Sequence, residues 1–459
     1  MERESRKVLL IDCSGRGHAL AELFTRTDES ITVYYAPGTS AIKHERIVPT
    51  PQVSLDDPDT AIAFLQSNPA DFVFVSYIDA LCIGYVNALK KAGVAVIGPS
   101  KAASRLESSK AYAKSLLQKY GIATARYETF DQPALAKQYI EQAPNDVVVK
   151  ADGLTDGDGA YVCFDKASAF SAVDTLMVQH ARGDSGRRIV VEEKLEGVEI
   201  SFFALFDSKG FLQFPTALDY KRSDDGDFGI NCEGMGSVSP HPYEHQDLQG
   251  LAYKEIFKPL RSALLEEGLD YTGFIYAGAM LCPDGLKVLE INARFGDSEA
   301  EVVFPRIQSN FFDLCQDVLQ QQVGTASLEL DKKIYCNVVA SQGAAERRHQ
   351  SQPDITLPGW PYGAFETGFP ISGIDDLDPA SCRLFFANVG HDDEGRLITT
   401  GGRVLHVVGI GANHDEAIAN AYGNIKKLSF KGLRFRHDIG VLYDTSQQKS
   451  ARVASGRQS

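Results

Sequence analysis

The stretch that decides the fold reads Val288-Leu289-Glu290-Ile291-Asn292-Ala293-Arg294-Phe295-Gly296-Asp297. It begins with the end of an apolar run that is typical of a buried strand. Alternate side chains of a strand face the same side, so Glu290 and Asn292 point together. Their oxygen atoms are ligands that Mg²⁺ prefers, although an edge strand that enters a turn also fits these residues. The stretch alone leaves both interpretations open.

The composition indicates a globular protein of several domains. The chain has 459 residues, of which 44% are hydrophobic and 23% charged, and its net charge is −15. This length predicts about three domains, since a domain usually holds about 100–200 residues. A protein that tracks nucleic-acid phosphates needs a basic surface, and the short pair Arg347-Arg348 does not supply one. We therefore expect no nucleic-acid partner.

The cysteines and the ends of the chain predict a cytoplasmic location. The eight cysteines are scattered without a CxxC pair, which argues against a zinc site or a disulfide framework. The charged residues 1–7 lead into a strand and do not resemble a signal peptide. No apolar run reaches the ~20 residues that span a bilayer, so we expect no membrane partner. Residues 441–459 are rich in Ser, Gln and Arg and are predicted to be disordered.

The pattern along the chain predicts an α/β and α+β multidomain protein. Apolar runs at 8–12, 31–35, 72–76 and 94–97 alternate with helical segments at 19–24 and 80–92. This alternation predicts a doubly wound parallel sheet for the N-terminal hundred residues. The middle region mixes helices at 109–120 and 133–142 with strands at 147–150, 189–192, 199–206, 274–281 and 286–291. Residues 330–440 predict strands at 334–340, 383–389 and 403–409 and a helix at 415–428, which indicate a small closing α+β domain.

The first strand leads into the turn Ser14-Gly15-Arg16-Gly17-His18 at the start of a helix. A dinucleotide site would need a third glycine, where Leu20 stands, and an acidic residue about 20 positions further on, which is missing. NAD(P) binding is therefore disfavoured. A loop that faces a substrate through its free N–H groups and a purely structural turn both remain open.

A lysine and a glycine-rich loop close the strand at 147–150. The loop reads Lys150-Ala151-Asp152-Gly153-Leu154-Thr155-Asp156-Gly157-Asp158-Gly159. Its backbone N–H groups can surround phosphate oxygens while the ammonium group supplies a positive charge. A lysine that only reaches from a strand end to solvent is the alternative.

The segment 190–199 has the order of an adenosine pocket. It reads Val190-Val191-Glu192-Glu193-Lys194-Leu195-Glu196-Gly197-Val198-Glu199. A carboxylate or carbonyl of the Glu192-Glu193 pair can accept from the adenine amino group, and the Leu195 N–H can bind the ring. Glu199 can bind the ribose hydroxyls. A charged β-hairpin is the alternative.

The order of these three features resembles the ATP-grasp ligases. Over about residues 7–440 the chain resembles the phosphoribosylamine–glycine ligase family of purine biosynthesis. The resemblance is carried by Gly98-Pro99-Ser100-Lys101-Ala102-Ala103, Ser109-Lys110-Ala111, Lys150-Ala151-Asp152-Gly153, Gly234-Met235-Gly236, Asn292-Ala293-Arg294-Phe295-Gly296-Asp297, Gly401-Gly402-Arg403-Val404-Leu405 and Arg436-His437-Asp438-Ile439-Gly440. It implies an N-terminal α/β substrate domain at 1–102, an ATP-grasp domain at 103–328 with a flexible lid at about 120–193, and a C-terminal α+β domain at 329–440.

The resemblance also implies roles for individual residues. ATP would be bound by Lys110, Lys150, Gly153, Gly157, Gly159, Glu192, Glu193, Leu195 and Glu199, and Mg²⁺, or alternatively Mn²⁺, by Glu290 and Asn292. Arg294 and Asp297 would be catalytic and face the acyl acceptor and the amine. Substrate contacts would come from Arg16, Gly17, Asp219, Lys221, Arg222, Gly234, Met235 and Gly236. The expected partners are a small carboxylate and a small amine, and the expected assembly is a monomer or homodimer.

The chain departs from the family pattern mainly on the sugar-phosphate and amine side. Asp158 stands where the family's loop has a lysine, and further differences occur at Gly17, Tyr77, Tyr220 and Glu233. These differences predict an ATP-dependent carboxylate–amine ligase with a substrate pair other than phosphoribosylamine and glycine. The alternatives are a genuine phosphoribosylamine–glycine ligase and an inactive nucleotide-binding protein, which the anionic Asp158 would suggest.

Overall fold

The structure is a computed structural model that describes residues 6–155, 157–244, 247–343 and 365–443. Asp156 of the glycine-rich loop, the basic pair Arg347-Arg348, residues 1–5 and residues 444–459 of the predicted disordered tail lie outside these ranges. The described residues form a parallel sheet, a long antiparallel sheet, a four-stranded antiparallel sheet and two hairpins.

The N-terminal region is the doubly wound parallel sheet that the sequence predicts. Its strands are β1 (Arg6–Asp12), β2 (Ile31–Pro37), β3 (Ile47–Pro49), β4 (Phe72–Val75) and β5 (Val96–Ile97), in the order β3-β2-β1-β4-β5. Its helices are α1 (Gly15–Thr27), α2 (Pro58–Ser67), α3 (Ile78–Ile83) and α4 (Tyr85–Lys91). The predicted helix at 80–92 is interrupted, because Gly84 adopts a φ of 94° that ends α3 and begins α4.

The order of the parallel strands fixes where a ligand can bind. The chain starts at the centre of the sheet and winds outward in both directions, so the winding changes direction between β1 and β4. Ligands of such sheets bind outside the carboxyl ends of the strands at this point. Asp12 ends β1 and Ser14 follows it, and Ser76 and Tyr77 follow β4, at this edge.

A small antiparallel sheet follows helices α5 (Arg105–Ser108) and α6 (Lys110–Lys119). Its strands are β6 (Tyr127–Phe130), β7 (Val147–Ala151), β8 (Ala160–Cys163) and β9 (Ile189–Glu193), in the order β6-β9-β7-β8. Helices α7 (Pro133–Gln142) and α8 (Lys166–Val173) cover it and share one apolar core with it. The hairpin β7–β8 carries the glycine-rich loop.

The long sheet runs through the rest of the chain. Its strands are β10 (Val198–Phe206), β11 (Phe211–Asp219), β14 (Gly236–Ser239), β15 (Gly273–Cys282), β16 (Gly285–Asn292), β17 (Ile334–Gln342), β18 (Cys382–Phe386), β21 (Arg403–Gly411) and β22 (Leu433–Arg434). Two hairpins are formed by β12 (Arg222–Asp224) with β13 (Phe228–Asn231) and by β19 (Val389–His391) with β20 (Leu397–Thr399). The helices are α9 (Leu248–Ala252), α10 (Lys258–Glu266), α11 (Ala300–Val303), α12 (Phe311–Leu319) and α13 (His414–Ile425).

The pairing of β14 with β17 joins the middle and C-terminal regions in one sheet. The predicted boundary at 328/329 thus separates strands that share hydrogen bonds, which the sequence did not indicate. That boundary, the one at 102/103 and the extent of the lid remain predictions. The single predicted strand at 383–389 is two strands, β18 and β19, that belong to different sheets.

An aromatic core fixes the position of the decisive stretch. Phe295 is 1% exposed and stacks on Phe203 of β10 with 4.0 Å between the ring centroids. Its ring also meets Phe274 of β15 edge-on at 5.0 Å, and Phe304 lies at 4.5 Å. Full burial of such a side chain stabilises the fold by about 1.5–3 kcal/mol. Phe295 thereby anchors the backbone between Arg294 and Asp297.

Candidate active site

A cavity of about 400 Å³ opens where the parallel sheet, the small sheet and the long sheet meet. Its lining includes most of the residues that the sequence predicts to bind ATP, the metal ion or a substrate. They are Arg16, Lys110, Lys150, Gly157, Gly159, Glu192, Glu193, Leu195, Glu199, Asp219, Lys221, Arg222, Gly234, Glu290, Asn292, Arg294 and Asp297. Residues nominated for ATP, for metal and for substrate therefore share one continuous space.

Four nominated residues lie beside the cavity lining. Gly17 packs within α1, where an added Cβ would lie 2.6 Å from the Tyr35 hydroxyl oxygen. Met235 is fully buried, and Gly236 begins β14 against the Asn337 carbonyl. The Gly153 carbonyl accepts a hydrogen bond from Lys110 Nζ at 3.3 Å. A direct substrate contact by Gly17, Met235 or Gly236 remains a prediction.

The start of α6 is tied to the glycine-rich loop through Asp152. Its Oδ1 accepts from the Ala111 N–H at 2.8 Å and from the Ser109 hydroxyl at 2.9 Å. Ser109 caps the helix by accepting from the Tyr112 N–H. These contacts place Lys110, the first residue of α6, beside the loop.

Glu192 holds two lysines at the base of the cavity. Its carboxylate is 2% exposed and forms ion pairs with Lys150 and Lys114. Burial opposes its ionisation, but the two ammonium groups lower the pKa of Glu192 below its usual value. Lys114 was absent from the sequence-based set, although it lies one helical turn after Lys110 on the same face of α6.

The two acids nominated for adenine are already engaged by cations. Glu192 binds the lysines, and Glu193 Oε2 lies 2.7 Å from Arg126 Nη2. The sequence left two acceptors open for the adenine amino group, a carboxylate or a backbone carbonyl of this pair. Because both carboxylates already have cationic partners, the carbonyl is favoured. Leu195 follows in the linker between β9 and β10 and lines the cavity.

Glu290 and Asn292 lie at the end of β16 and both face the cavity, as their spacing predicts. Lys221 Nζ lies 3.0 Å from Glu290 Oε1 and also forms an ion pair with Glu199. Burial opposes ionisation, but Lys221, Lys150 and Lys110 lower the pKa of Glu290 to about 2. An ionised carboxylate beside an amide oxygen fits a hard divalent metal ion.

The position of Lys221 was not anticipated. The sequence predicts a substrate contact for Lys221, yet its ammonium group forms ion pairs with Glu199, predicted to bind ribose, and with Glu290, predicted to bind the metal ion. It follows β11, whose last residue is Asp219. Burial and the neighbouring Glu299 raise the pKa of Asp219 well above its usual value.

Arg294 and Asp297 are held by partners from distant parts of the chain. Arg294 Nη2 lies 2.8 Å from Glu107 Oε1, and the second oxygen of Glu107 accepts from the Ala293 N–H at 2.7 Å. Asp297 Oδ1 lies 2.7 Å from Arg403 Nη1, and Asp297 Oδ2 accepts from the Arg16 N–H at 3.2 Å. Burial opposes the ionisation of Asp297, but Arg403 and the neighbouring His406 and Arg16 lower its pKa below the usual value.

Arg16 contacts the site residue Asp297 through its backbone N–H and not through its side chain. Its guanidinium group binds the fully buried Asp12, with Nη2 2.9 Å from Asp12 Oδ2. The same Asp12 accepts from the Ser76 hydroxyl at 2.7 Å, which joins the ends of β1 and β4. Sequence reasoning missed Asp12, Glu107 and Arg403 as site residues. Glu107 and Arg403 act through partners remote in sequence, and Asp12 joins the nearby Arg16 to the distant Ser76.

A buried pair lies directly behind Asp297. His406 Nε2 lies 3.6 Å from Asp297 Oδ1, and His406 Nδ1 lies 3.6 Å from Glu301 Oε1. Burial lowers the pKa of His406 to about 4 and, together with Asp297, raises the pKa of Glu301 well above its usual value. His406 is thus neutral near pH 7, and the ionised form of Glu301 is disfavoured beside the negative charge of Asp297.

Asp158 in the glycine-rich loop is neutralised by a bidentate ion pair. Arg182 Nη2 lies 2.8 Å from Asp158 Oδ2, and Arg182 Nε lies 2.9 Å from Asp158 Oδ1. The anion that the sequence placed over the phosphates therefore has a cationic partner from the segment before β9. The main argument for an inactive protein was the negative charge of Asp158, and this ion pair compensates that charge.

The fold and this cavity define an ATP-grasp ligase, an enzyme that uses ATP and a divalent metal ion to form a C–N bond. Family models for the N domain, the ATP-grasp (A) domain and the C domain of phosphoribosylglycinamide synthetase match residues 6–107, 108–300 and 355–442 of this chain, in that order. The chain belongs to the phosphoribosylglycinamide synthetase family.

Named relatives align along almost the entire chain. The phosphoribosylamine–glycine ligase of Caldanaerobacter subterraneus subsp. tengcongensis is 34% identical over 95% of this chain and 100% of its own length. The enzyme of that name from Halalkalibacterium halodurans is 36% identical over 94% of this chain and 96% of its own. The solved phosphoribosylamine–glycine ligase of Thermotoga maritima has a TM-score of 0.75, 29% identity and coverage of 94% of this chain and 100% of its own.

In the described ranges, no helix combines the length and apolar character that crossing a membrane requires.

Proposed function

We propose that the protein is a phosphoribosylamine–glycine ligase. It would join the carboxyl group of glycine to the amino group of phosphoribosylamine and convert ATP to ADP and phosphate. The observation that carries the proposal is the match to a relative of that name along its full length and 95% of this chain. This match favours the genuine enzyme over the different substrate pair that the departures from the family pattern predict.

The residues around the cavity support each part of the reaction. Lys110 and Lys150 would neutralise ATP phosphates while a glycine carboxylate oxygen attacks the γ-phosphate to give an acylphosphate and ADP. Glu290 and Asn292 would hold Mg²⁺, with Mn²⁺ as an alternative, which supplies charge neutralisation for phosphoryl transfer. The amine nitrogen then bonds to the acyl carbon as the carbon–oxygen bond to phosphate breaks and the nitrogen loses a proton.

Arg294 and Asp297 have the charges that the two substrates require. The fixed guanidinium of Arg294 would bind the carboxylate of glycine, since guanidinium groups bind carboxylates with defined geometry. The ionised Asp297 would face the amine. The glycine-rich loop would exclude water, which otherwise hydrolyses the acylphosphate. A cytoplasmic location and a monomeric or homodimeric assembly belong to the same proposal.

The test is turnover with defined substrates. We expect ADP formation that requires phosphoribosylamine, glycine, ATP and Mg²⁺ together, with a product of the mass of the amide. Omission of either organic substrate should abolish coupled ADP release. Turnover with another amine and acid, but not with this pair, would support a divergent ligase. Nucleotide binding without turnover across a broad substrate panel would support the inactive alternative.

A further inference from the structure

We infer that Glu233 binds the amino group of the acyl acceptor, an inference that rests on the proposed function and deepens it. Glu233 lies between the hairpin β12–β13 and strand β14 and lines the cavity. Its side chain is 42% exposed, and its Oε2 lies 2.6 Å from Arg403 Nη2. The sequence singles it out as a departure from the family pattern on the amine side, without a role.

Arg403 brings two carboxylates to one side of the cavity. Its Nη2 contacts Glu233, and its Nη1 lies 2.7 Å from Asp297 Oδ1. The Arg403 side chain is only 7% exposed, so its position is fixed by the surrounding protein. The N–H groups of an amine that enters this space would meet negative charge from both acids.

The two carboxylates differ in how fully the protein already uses them. Asp297 is 5% exposed, and both of its oxygens have partners, since Oδ1 binds Arg403 and Oδ2 accepts from the Arg16 N–H. Glu233 contacts Arg403 through Oε2 and keeps a large exposed fraction. Glu233 is therefore the more accessible acceptor for the N–H groups of an incoming amine.

Arg403 does not depend on Glu233 for its position. Arg403 Nη1 also donates to the carbonyls of Gly234 at 3.3 Å and of Asp297 at 3.1 Å, besides its contact with the Asp297 carboxylate. A purely structural role for Glu233 as the anchor of Arg403 is therefore redundant. Its charge on the cavity wall is better explained by a ligand.

The glycine-rich loop brings Glu233 close to the phosphate side of the cavity. Gly157 has a φ of 83°, and a Cβ at this position would lie 2.6 Å from the Glu233 backbone nitrogen. The backbone that carries Glu233 thus contacts the loop that would cover the ATP phosphates. An amino group bound by Glu233 would lie on the side of the cavity where the acylphosphate forms.

The test compares Glu233→Gln with wild type in steady-state assays in which each substrate is varied in turn. Glutamine keeps an oxygen that can accept from Arg403 but removes the negative charge. We expect the KM for phosphoribosylamine to rise about 10-fold or more, because hydrogen bonds to charged groups contribute at least about that factor. The KM values for ATP and glycine should rise less, because the negative charge of Glu233 would not stabilise the anionic phosphates of ATP or the carboxylate of glycine.

Two further variants make the result interpretable. Glu233→Asp keeps the charge on a shorter side chain and should raise the amine KM less than Glu233→Gln does. Glu266→Gln on α10, an exposed carboxylate away from the cavity, should match wild type. Thermal unfolding of each variant checks that the fold is retained.

Two outcomes would overturn the inference: an unchanged amine KM in Glu233→Gln, or an equal rise in all three KM values, which would indicate a role in loop packing. Failure of wild type to use phosphoribosylamine would instead reject the proposed function. Wild-type turnover combined with a normal amine KM in Glu233→Gln would reject this inference alone.

Discussion

At the scale of single residues, three acids of the site are each paired with a cationic side chain. Glu192 binds two lysines, Glu290 binds Lys221, and Asp297 binds Arg403. A buried carboxylate is costly without such a partner, so the pairs keep these acids ionised before any ligand arrives. Bound ATP and a metal ion would then form ion pairs with charged side chains that are already in position.

Glu290→Gln should abolish ligation while leaving the fold intact. The substitution removes the charged metal ligand but keeps the shape of the side chain, and Lys221 retains its ion pair with Glu199. We expect kcat to fall about 100-fold or more, as when one preorganised charge-stabilising group is removed. Coupled ADP release measures the effect, and Glu266→Gln is the matched control. Retained activity in a folded variant would remove the metal assignment.

At the scale of elements, the glycine-rich loop depends on a contact outside its own hairpin. Asp158 binds Arg182, and the Gly153 N–H donates to the Ser185 carbonyl at 3.2 Å. Both partners belong to the segment between α8 and β9. The loop between β7 and β8 is thus shaped by a neighbouring connection and by its own glycines.

Arg182→Asp should impair ATP binding, because it places a second anion beside Asp158 in the glycine-rich loop, which we propose covers the phosphates. We expect the KM for ATP to rise about 5- to 10-fold, the factor that corresponds to the roughly 1 kcal/mol of a well-formed, partly exposed ion pair. Steady-state kinetics with varied ATP measure this effect. The exchanged pair Asp158→Arg with Arg182→Asp should recover much of the loss. A double variant as impaired as the sum of the two single variants would show that the ion pair is not the cause.

At the scale of the whole molecule, the cavity lies where three sheets meet, and its walls are stabilised from the core. Phe295 packs against β10 and β15, while α1 and α11 also contribute to the same hydrophobic core. Arg403 of β21 reaches the cavity from the C-terminal region. The site therefore requires all parts of the fold to be assembled.

Three buried histidines should make stability sensitive to mild acid. Burial lowers the pKa of His18 to about 3 and those of His241 and His406 to about 4. In the unfolded chain each imidazole gains a proton below about pH 6.5, whereas in the folded chain it stays neutral until about pH 3–4. The unfolded state then binds more protons, so stability is lost as the pH falls through this window.

Between pH 7 and pH 5 the free energy of unfolding should fall by about 2 kcal/mol per buried histidine. Urea unfolding at the two pH values measures this change. His241→Gln should reduce the difference by about one histidine's share. Equal stability at pH 7 and pH 5 would show that these imidazoles are not buried in their neutral form.

Most of the elements could be predicted from the sequence, because period and turn residues are local signals. The strands β1, β2, β4, β7 and β9 and the helix α7 lie where the pattern places them. Where the elements differ from the prediction, the causes are local and cannot be recognised from composition. The left-handed Gly84 divides one predicted helix into two, and the short β3 and the helix α2 were not predicted.

The sequence by itself determined the chemistry of the site: an acid and an amide two residues apart on a strand, a lysine before a glycine loop, and an acidic pair before a linker. Such features are encoded within a few residues, so spacing alone reveals them. Only the tertiary structure decided the partners, such as Glu107 with Arg294 and Arg403 with Glu233 and Asp297. These residues are distant along the chain, and charge pairing in a buried site depends on distance in space, which no local pattern records.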